Sequence, residues 1–367
     1  MSESNRLAEL VQARIDRFLD ERTPILASIS DDLVPFCDFS RQFLSGGKRF
    51  RAQFCYRGWQ SVHGTDGADG QPSAADAAIG AAAALEVFHA AALVHDDIID
   101  SSDTRRRGPS AHRRFEALHD RLGYAGTAHD FGTASALLLG DLLLGWSDEL
   151  LDESLGALDD PQQAVAVRRQ FNRMRTEVTA GQYLDILEER AWSTREEDEL
   201  LAHAQRVIIY KSAKYSVEAP LLIGATIAGA REAQRDALHA FGLPLGIAYQ
   251  LRDDLLGVFG DAAITGKPSG DDLREGKRTV LIALARRKLP VSARHLLDEL
   301  LGDPKLDDTQ IAMLHSTIRA SGAVEEVEAL ISRNAGRANA ALDEAPLDPA
   351  AIRQLRNLTR SVTDRVA

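Results

Sequence analysis

Two aspartate-rich segments, LVHDDIID at 93–100 and QLRDDLLGVFGD at 250–261, lie far apart in the chain, each inside an apolar stretch with helical spacing. Residues four apart share a helix face, so Asp96 and Asp100 present two carboxylates to one point, with Asp97 turned about a third of the way round. Like charges held so close require a cation. Hard oxygen ligands in this number suit Mg²⁺, which keeps several waters and is usually held by one or two carboxylates together with substrate phosphates. A polyphosphorylated ligand is implied. The two acidic segments are expected to meet at one site, which makes 1–367 a single large domain although the length alone suggests two.

The cations point to the same ligand. The net charge is −12, yet Lys48, Arg49 and Arg51 cluster after two glycines, Arg105, Arg106 and Arg107 follow the first aspartate segment, and Lys267 and Lys277 follow the second. Nucleic acid calls for a broad basic face and a basic pI, against about 5.4 here, so no nucleic-acid partner is expected. Small separated clusters suit a small polyanion, with arginine forks binding phosphate oxygens bidentately and lysines acting as point charges.

Leu, Ala, Glu, Arg and Gln dominate, apolar positions recur at helical spacing, and no run alternates as a strand does, so the fold class is all-α, one large helical bundle. Gly, Pro, Asp and Ser mark breaks near 62–73, 123–132, 156–162, 191–195, 260–276, 289–293, 302–308 and 343–349. Ser73 and Thr194 are expected N-caps, Thr194 with Glu197 three residues on as in a capping box. The stretch 74–95 is mostly alanine, but Asp76, Glu86 and His89 interrupt it; it reads as a core helix whose alanines and Gly80 admit a close neighbour, not as a membrane span. The first residues carry charges throughout and do not resemble a signal peptide. Cys37 and Cys55, the two cysteines, fit neither a disulfide framework nor a metal spacing, and a reducing cytoplasm with both as core residues is expected.

With these strings in place the chain resembles a trans-isoprenyl diphosphate synthase. GGKRFR (46–51), LVHDDIIDSSDTRR (93–106), GQYLDI (181–186), YKSAKY (210–215), QLRDD with FGD, and TGKPSGDDLREGK (265–277) are similar to that family's motifs in that family's order. Each string alone is weak; together they span most of the chain. The resemblance implies the isoprenoid synthase bundle around a central cavity, a homodimer, and about three Mg²⁺ ions, two held by Asp96 and Asp100 and one by Asp253. Asp254, Asp185 and Gln182 would support metal waters or the allylic diphosphate. Lys48, Arg51, His89 and Arg106 would bind isopentenyl diphosphate, and Arg105, Lys211, Lys267 and Lys277 the allylic diphosphate. Gln250 and Ser212 would steady the developing cation and its surroundings. His95, Asp141 and Lys214 are read as structural, and Arg107 as an exposed, salt-bridged residue.

The implied chemistry is ionisation of a carbon–oxygen bond to an allylic cation and pyrophosphate, stabilised by metal and cationic side chains without a protein nucleophile. The second motif departs from the family pattern DDxxD at its fifth position, Gly257, so a supporting carboxylate is missing from that helix face and an aspartate restored there is expected to change activity only modestly. The resemblance implies that the growing chain runs along the helix that leads to Asp96, where the small Ala92 and Ala91, four and five residues before it, disfavour a fifteen-carbon product. Phe88, about one turn deeper, is the candidate floor, giving geranylgeranyl diphosphate. Farnesyl and longer-chain synthases, a terpene cyclase and a non-catalytic partner subunit are the alternatives; a cyclase needs no homoallylic site, and a partner subunit typically lacks more of the aspartates and arginines.

Overall fold

The computed structural model describes residues 3–64, 72–105, 108–260 and 270–363. These are helical apart from short connections and one two-residue ladder, Thr104–Arg105 (β1) against Gly108–Pro109 (β2), antiparallel with Arg105 opposite Gly108. Two compact units emerge, Met1–Arg169 with Ile223–Ala230, and Gln170–Leu222 with Arg231–Ala367.

The first unit contains α1 (Glu3–Ile29), α2 (Val34–Leu44), α3 (Phe50–His63), α4 (Pro72–Ile99), α5 (Ala111–Leu122), α6 (Ala128–Leu155) and the start of α7 (Pro161–Ala191). On α1 the buried residues Leu7, Val11, Ile15 and Phe18 recur at three and four, the stripe of a helix with one face in the core. Helix α4 is apolar all round and packs against α6, α3 and α1. It is long and apolar enough to cross a membrane, but 78% of its apolar window is buried in the structure, so the expected core helix is what forms. α4 and α6 run antiparallel at close range. Gly80 lies against Ser154 at one end, and at the other Gly140 leaves room for the imidazole of His95, whose Cε1 would stand 2.8 Å from a Cβ there. Cys37 and Cys55 are buried free thiols, and burial pushes that of Cys55 up to about 12.

The second unit contains the rest of α7, α8 (Leu200–Val207), the start of α9 (Ala219–Ile227), α10 (Glu232–Phe259), α11 (Asp271–Glu275) and the helices between Val280 and Thr363. Its core joins Ile208, Leu251, Leu255 and Val258 to Leu273, Leu281, Leu284 and Ile331. α8 and α9 form one continuous helical rod, because both junctions keep right-handed helical angles, yet Ile208–Glu218 between them is wound as a π-helix. The sequence contains no signal for that winding.

Two expected caps fail. α4 already includes Pro72, which places Ser73 inside its first turn. Thr194 ends a 3₁₀ turn and donates its hydroxyl to the Ala191 carbonyl at 2.7 Å, while α8 begins at Leu200. Glu197 serves Arg286 at 3.1 Å instead. The break expected at 123–132 is shorter, because Thr127 accepts from Asp130 N and starts α6 at Ala128.

Candidate active site

The first aspartate motif ends α4, and the way the helix stops sorts its three acids. Ser101 adopts a left-handed conformation, φ 54°. The amide of Ser102 donates to Asp97 O at 2.9 Å and that of Ser101 to Ile98 O at 3.3 Å, the paired closing bonds of a Schellman stop. The chain then turns back, and the Arg105 guanidinium grips Asp97, Nε to Oδ1 at 2.8 Å with a second bond from Nη2. Asp97 is fully buried, whereas Asp96 and Asp100 are half-buried; Arg105 Nη2 reaches Asp96 Oδ2 only at 3.7 Å. The i, i+4 pair therefore remains together on one face while the acid between them is committed to an ion pair. His89 and Ala92 are half-buried, and Phe88 and Ala91 are buried on the same helix. His95 Nε2 lies 3.3 Å from Leu137 O and 3.5 Å from Asp141, in keeping with a structural histidine.

The GGKR segment bridges α2 and α3 through left-handed backbone at Gly46, Gly47 and Arg49. Arg49 does not join Lys48 and Arg51 in a cationic cluster. Its guanidinium is buried, donating to Gln12, to Leu44 O and, at 3.3 Å, to Glu86 of α4, whose other oxygen accepts from Ala52 N at 3.2 Å. This buried pair ties the start of α3 to α4 and leaves Lys48 exposed and Arg51 half-buried. A glutamate inside an alanine-rich helix was the available signal, since buried carboxylates are almost always paired.

In the second unit, glycine builds the site by letting backbones touch. A Cβ on Gly181 of the GQYLDI string would come within 2.8 Å of Lys211 Cα, and one on Gly246 of α10 within 2.6 Å of Ala213 Cα. α7 and α10 thus clamp the π-helical YKSAKY stretch from two sides. The clamp sets Asp185 against Lys211, which form an ion pair, and Glu177 against Lys214 at 2.9 Å. Gln182 and Ser212 are half-buried. One turn beyond Gly246, Gln250 Nε2 donates to Asp254 Oδ1 at 2.7 Å. Asp253 is exposed and Asp254 is 5% exposed. Lys277 Nζ lies 2.6 Å from Glu275 and 3.8 Å from Asp272.

Thus Lys48, Arg51, Phe88, His89, Ala91, Ala92, Asp96, Asp100 and Arg105 belong to the first unit, and Gln182, Asp185, Lys211, Ser212, Gln250, Asp253, Asp254 and Lys277 to the second. Arg106, Arg107 and Lys267 lie outside the described residues.

The donor chemistry fits a hard divalent cation. Asp254 Oδ2 is buried without a hydrogen-bond partner among the described residues. Burial raises the Asp254 carboxyl well above the usual carboxylate range, the Gln250 hydrogen bond opposes this, and Asp272, Asp253 and Asp185 raise it further. Positive charge supplied at this cluster offsets all of the raising causes. Among the described residues no three such groups close into a cage. Mg²⁺ takes part of its ligands from water and phosphate.

Comparison with known proteins shows the family. The sequence model of the family described as polyprenyl synthetase matches residues 36–318. The geranylgeranyl diphosphate synthase of Sulfolobus acidocaldarius is 32% identical over 70% of this chain and 69% of its own length. The geranylfarnesyl diphosphate synthase of Aeropyrum pernix is 31% identical over 77% of this chain and 80% of its own. Among solved structures, a geranylgeranyl pyrophosphate synthase from Corynebacterium glutamicum, complexed with isoprenyl diphosphate and magnesium, superposes with a TM-score of 0.92 at 39% identity, covering 100% of both chains. The fold is the all-α isoprenyl synthase fold, and the chain is a trans-prenyltransferase of the polyprenyl synthetase family.

Proposed function

We propose that the protein condenses isopentenyl diphosphate with allylic diphosphates, in the presence of magnesium, to give all-trans geranylgeranyl diphosphate. The observation that carries this reading is the end-to-end similarity to a geranylgeranyl pyrophosphate synthase complexed with isoprenyl diphosphate and magnesium, in a chain whose Asp96 and Asp253 stand on helices α4 and α10. Asp96, Asp100 and Asp253 would hold the metal, about three ions, with Asp254 and Asp185 supporting its waters. Bound magnesium supplies the positive charge that stabilises the departing pyrophosphate. Lys211 and Arg105 would add charge to the allylic diphosphate, together with Lys267 and Lys277, and both Lys211 and Arg105 are held in place by carboxylates, Asp185 and Asp97. Lys48, Arg51, His89 and Arg106 would receive the homoallylic diphosphate. Gln250, bonded to Asp254, and Ser212 in the π-helical stretch would line the reacting end. Both units would work as one catalytic domain, within a cytoplasmic homodimer.

The experiment is to incubate the purified protein with magnesium, isopentenyl diphosphate and each allylic primer in turn. Chain extension that requires magnesium and yields a twenty-carbon main product is the expected result. Product formed without isopentenyl diphosphate would indicate a cyclase, and no product from any primer a partner subunit.

Product length has its own test. Phe88 is buried on α4, two turns before Asp96, with the small Ala91 and Ala92 between. Phe88→Ala is expected to lengthen the main product by at least one isoprene unit, read by chromatography of the dephosphorylated alcohols. The twenty-five-carbon product named for the Aeropyrum pernix relative is the first step of that series. An unchanged distribution from a folded, active variant removes Phe88 as the floor.

A further inference from the structure

Trp192 stands one residue past the end of α7, seven after Asp185, and belongs to none of the motif strings. The Arg278 guanidinium lies over its ring, with Cζ 3.7 Å from the centroid. Arg278 Nη1 also donates to Asp298 Oδ1 at 2.8 Å, and Arg286 donates to both oxygens of the same carboxylate at 2.8 and 2.9 Å. The Arg278 side chain is 10% exposed, and its Nε is buried without a hydrogen-bond partner among the described residues. A guanidinium so stripped of water relies on Asp298 and the indole face for compensation, the setting in which a cation over an aromatic ring counts most. All of these residues belong to the second unit. The residue before Arg278 is Lys277, in the short crossing between α11 and the helix Val280–Lys288. On its N-terminal side the backbone is fixed, because Gly276 is left-handed, φ 81°, and the amides of Gly276 and Lys277 both donate to Asp272 O at 3.1 Å. On its C-terminal side the next anchor is Arg278 itself. The end of α7 is held as well, since the buried Glu188 lies 2.9 Å from Nδ1 of His203 on α8.

We propose that Trp192 is a positioning residue for the allylic diphosphate site: through its stack on Arg278 it fixes the backbone of Lys277 relative to the end of α7, the helix that carries Asp185. The proposal rests on the function put forward above, in which Lys277 and Asp185 serve that diphosphate. Trp192 acts without contact to substrate. A planar guanidinium held between an indole face and a carboxylate has a defined orientation, whereas an ammonium there has no plane to hold. Misplacing a charged group by about 1 Å costs roughly a hundredfold in rate, so an anchor one residue away from Lys277 is near enough to matter.

The test compares, in the whole chain, Trp192→Leu, Trp192→Phe, Lys277→Ala and the double variant Trp192→Leu/Lys277→Ala. Calorimetry with inorganic pyrophosphate and magnesium gives affinity, steady-state kinetics give KM for each diphosphate, and urea unfolding gives stability. Trp192→Leu should weaken pyrophosphate binding about tenfold and raise the allylic KM by a similar factor, with the KM for isopentenyl diphosphate within about twofold of the parent. Trp192→Phe, which keeps a ring face for Arg278, should stay within about threefold of the parent. Once Lys277 is gone the stack has nothing to position, so the double variant should bind pyrophosphate as Lys277→Ala does, without a further loss. Should Trp192→Leu fail to fold, Arg278→Lys keeps the charge beside Asp298, loses the planar stack, and should show the same loss of about tenfold. If the parent protein binds no pyrophosphate in the presence of magnesium and extends no primer, the proposed function itself fails. If it does both, and Trp192→Leu loses only stability or its loss of affinity persists in full after Lys277→Ala, the role assigned to Trp192 alone is overturned.

Discussion

Asp96→Ala and Asp100→Ala should each lower kcat by about a thousandfold or more while leaving the stability of the metal-free protein within about 1 kcal/mol of the parent. Both carboxylates are half-buried at the end of α4 and share one face. The contact of Asp96 with Arg105 is long, 3.7 Å, and Arg105 has a closer partner in Asp97. Removing one of two neighbouring like charges costs the folded state little. For the proposed reaction the same removal takes away charge that acts on the leaving group, so kcat falls in addition to any change in KM. Steady-state kinetics at saturating magnesium, paired with urea unfolding, measures both halves. Near-parental turnover in either variant would sink the metal assignment; a large loss of stability would show that these carboxylates hold the fold.

One residue away the balance reverses. Asp97→Ala should destabilise the protein by about 3–5 kcal/mol, because it leaves a guanidinium without its buried partner. The Asp97 side chain is fully buried and that of Arg105 is 16% exposed, with two bonds between them. Arg105→Ala should be similarly harmful, and the double alanine variant should lose less than the sum, since no lone buried charge remains. Urea midpoints of the three variants decide this. If Asp97→Ala unfolds at the parental midpoint, the pair is not what fastens the turn after α4.

Much of this was visible in the residues themselves. Helical spacing without strand alternation identifies the fold class, and the i, i+4 relation of Asp96 and Asp100 survives in the structure because a helix face depends only on local geometry. Gly80 beside Ser154 also follows from composition, since a small residue in an alanine-rich helix invites a close neighbour. What escaped depends on contacts distant in sequence. Arg49 counted as one cation among three until Glu86, thirty-seven positions on, took it out of the cluster. Thr194 has the residues of a capping box, but its hydroxyl finds a carbonyl behind it before any helix starts. Gly257 looked like a gap because a motif is a string read along one helix, whereas the space beside it is filled by the Asp272 side chain.

The π-helical winding of Ile208–Glu218 sets a limit on how the YKSAKY string can be transplanted. Each of its hydrogen-bonded loops spans five residues where an α-helix spans four, so the stretch holds more chain per turn than its flanks. Deleting a single residue there would remove surplus chain and let the stretch relax toward ordinary winding, which turns its own side chains relative to α7 and α10. Copied into a regular helix, the same letters would keep Lys211 and Lys214 three apart yet point them in different directions. The motif is therefore a statement about pitch as much as about lysine, and a graft must carry the glycines at 181 and 246 that make room for it.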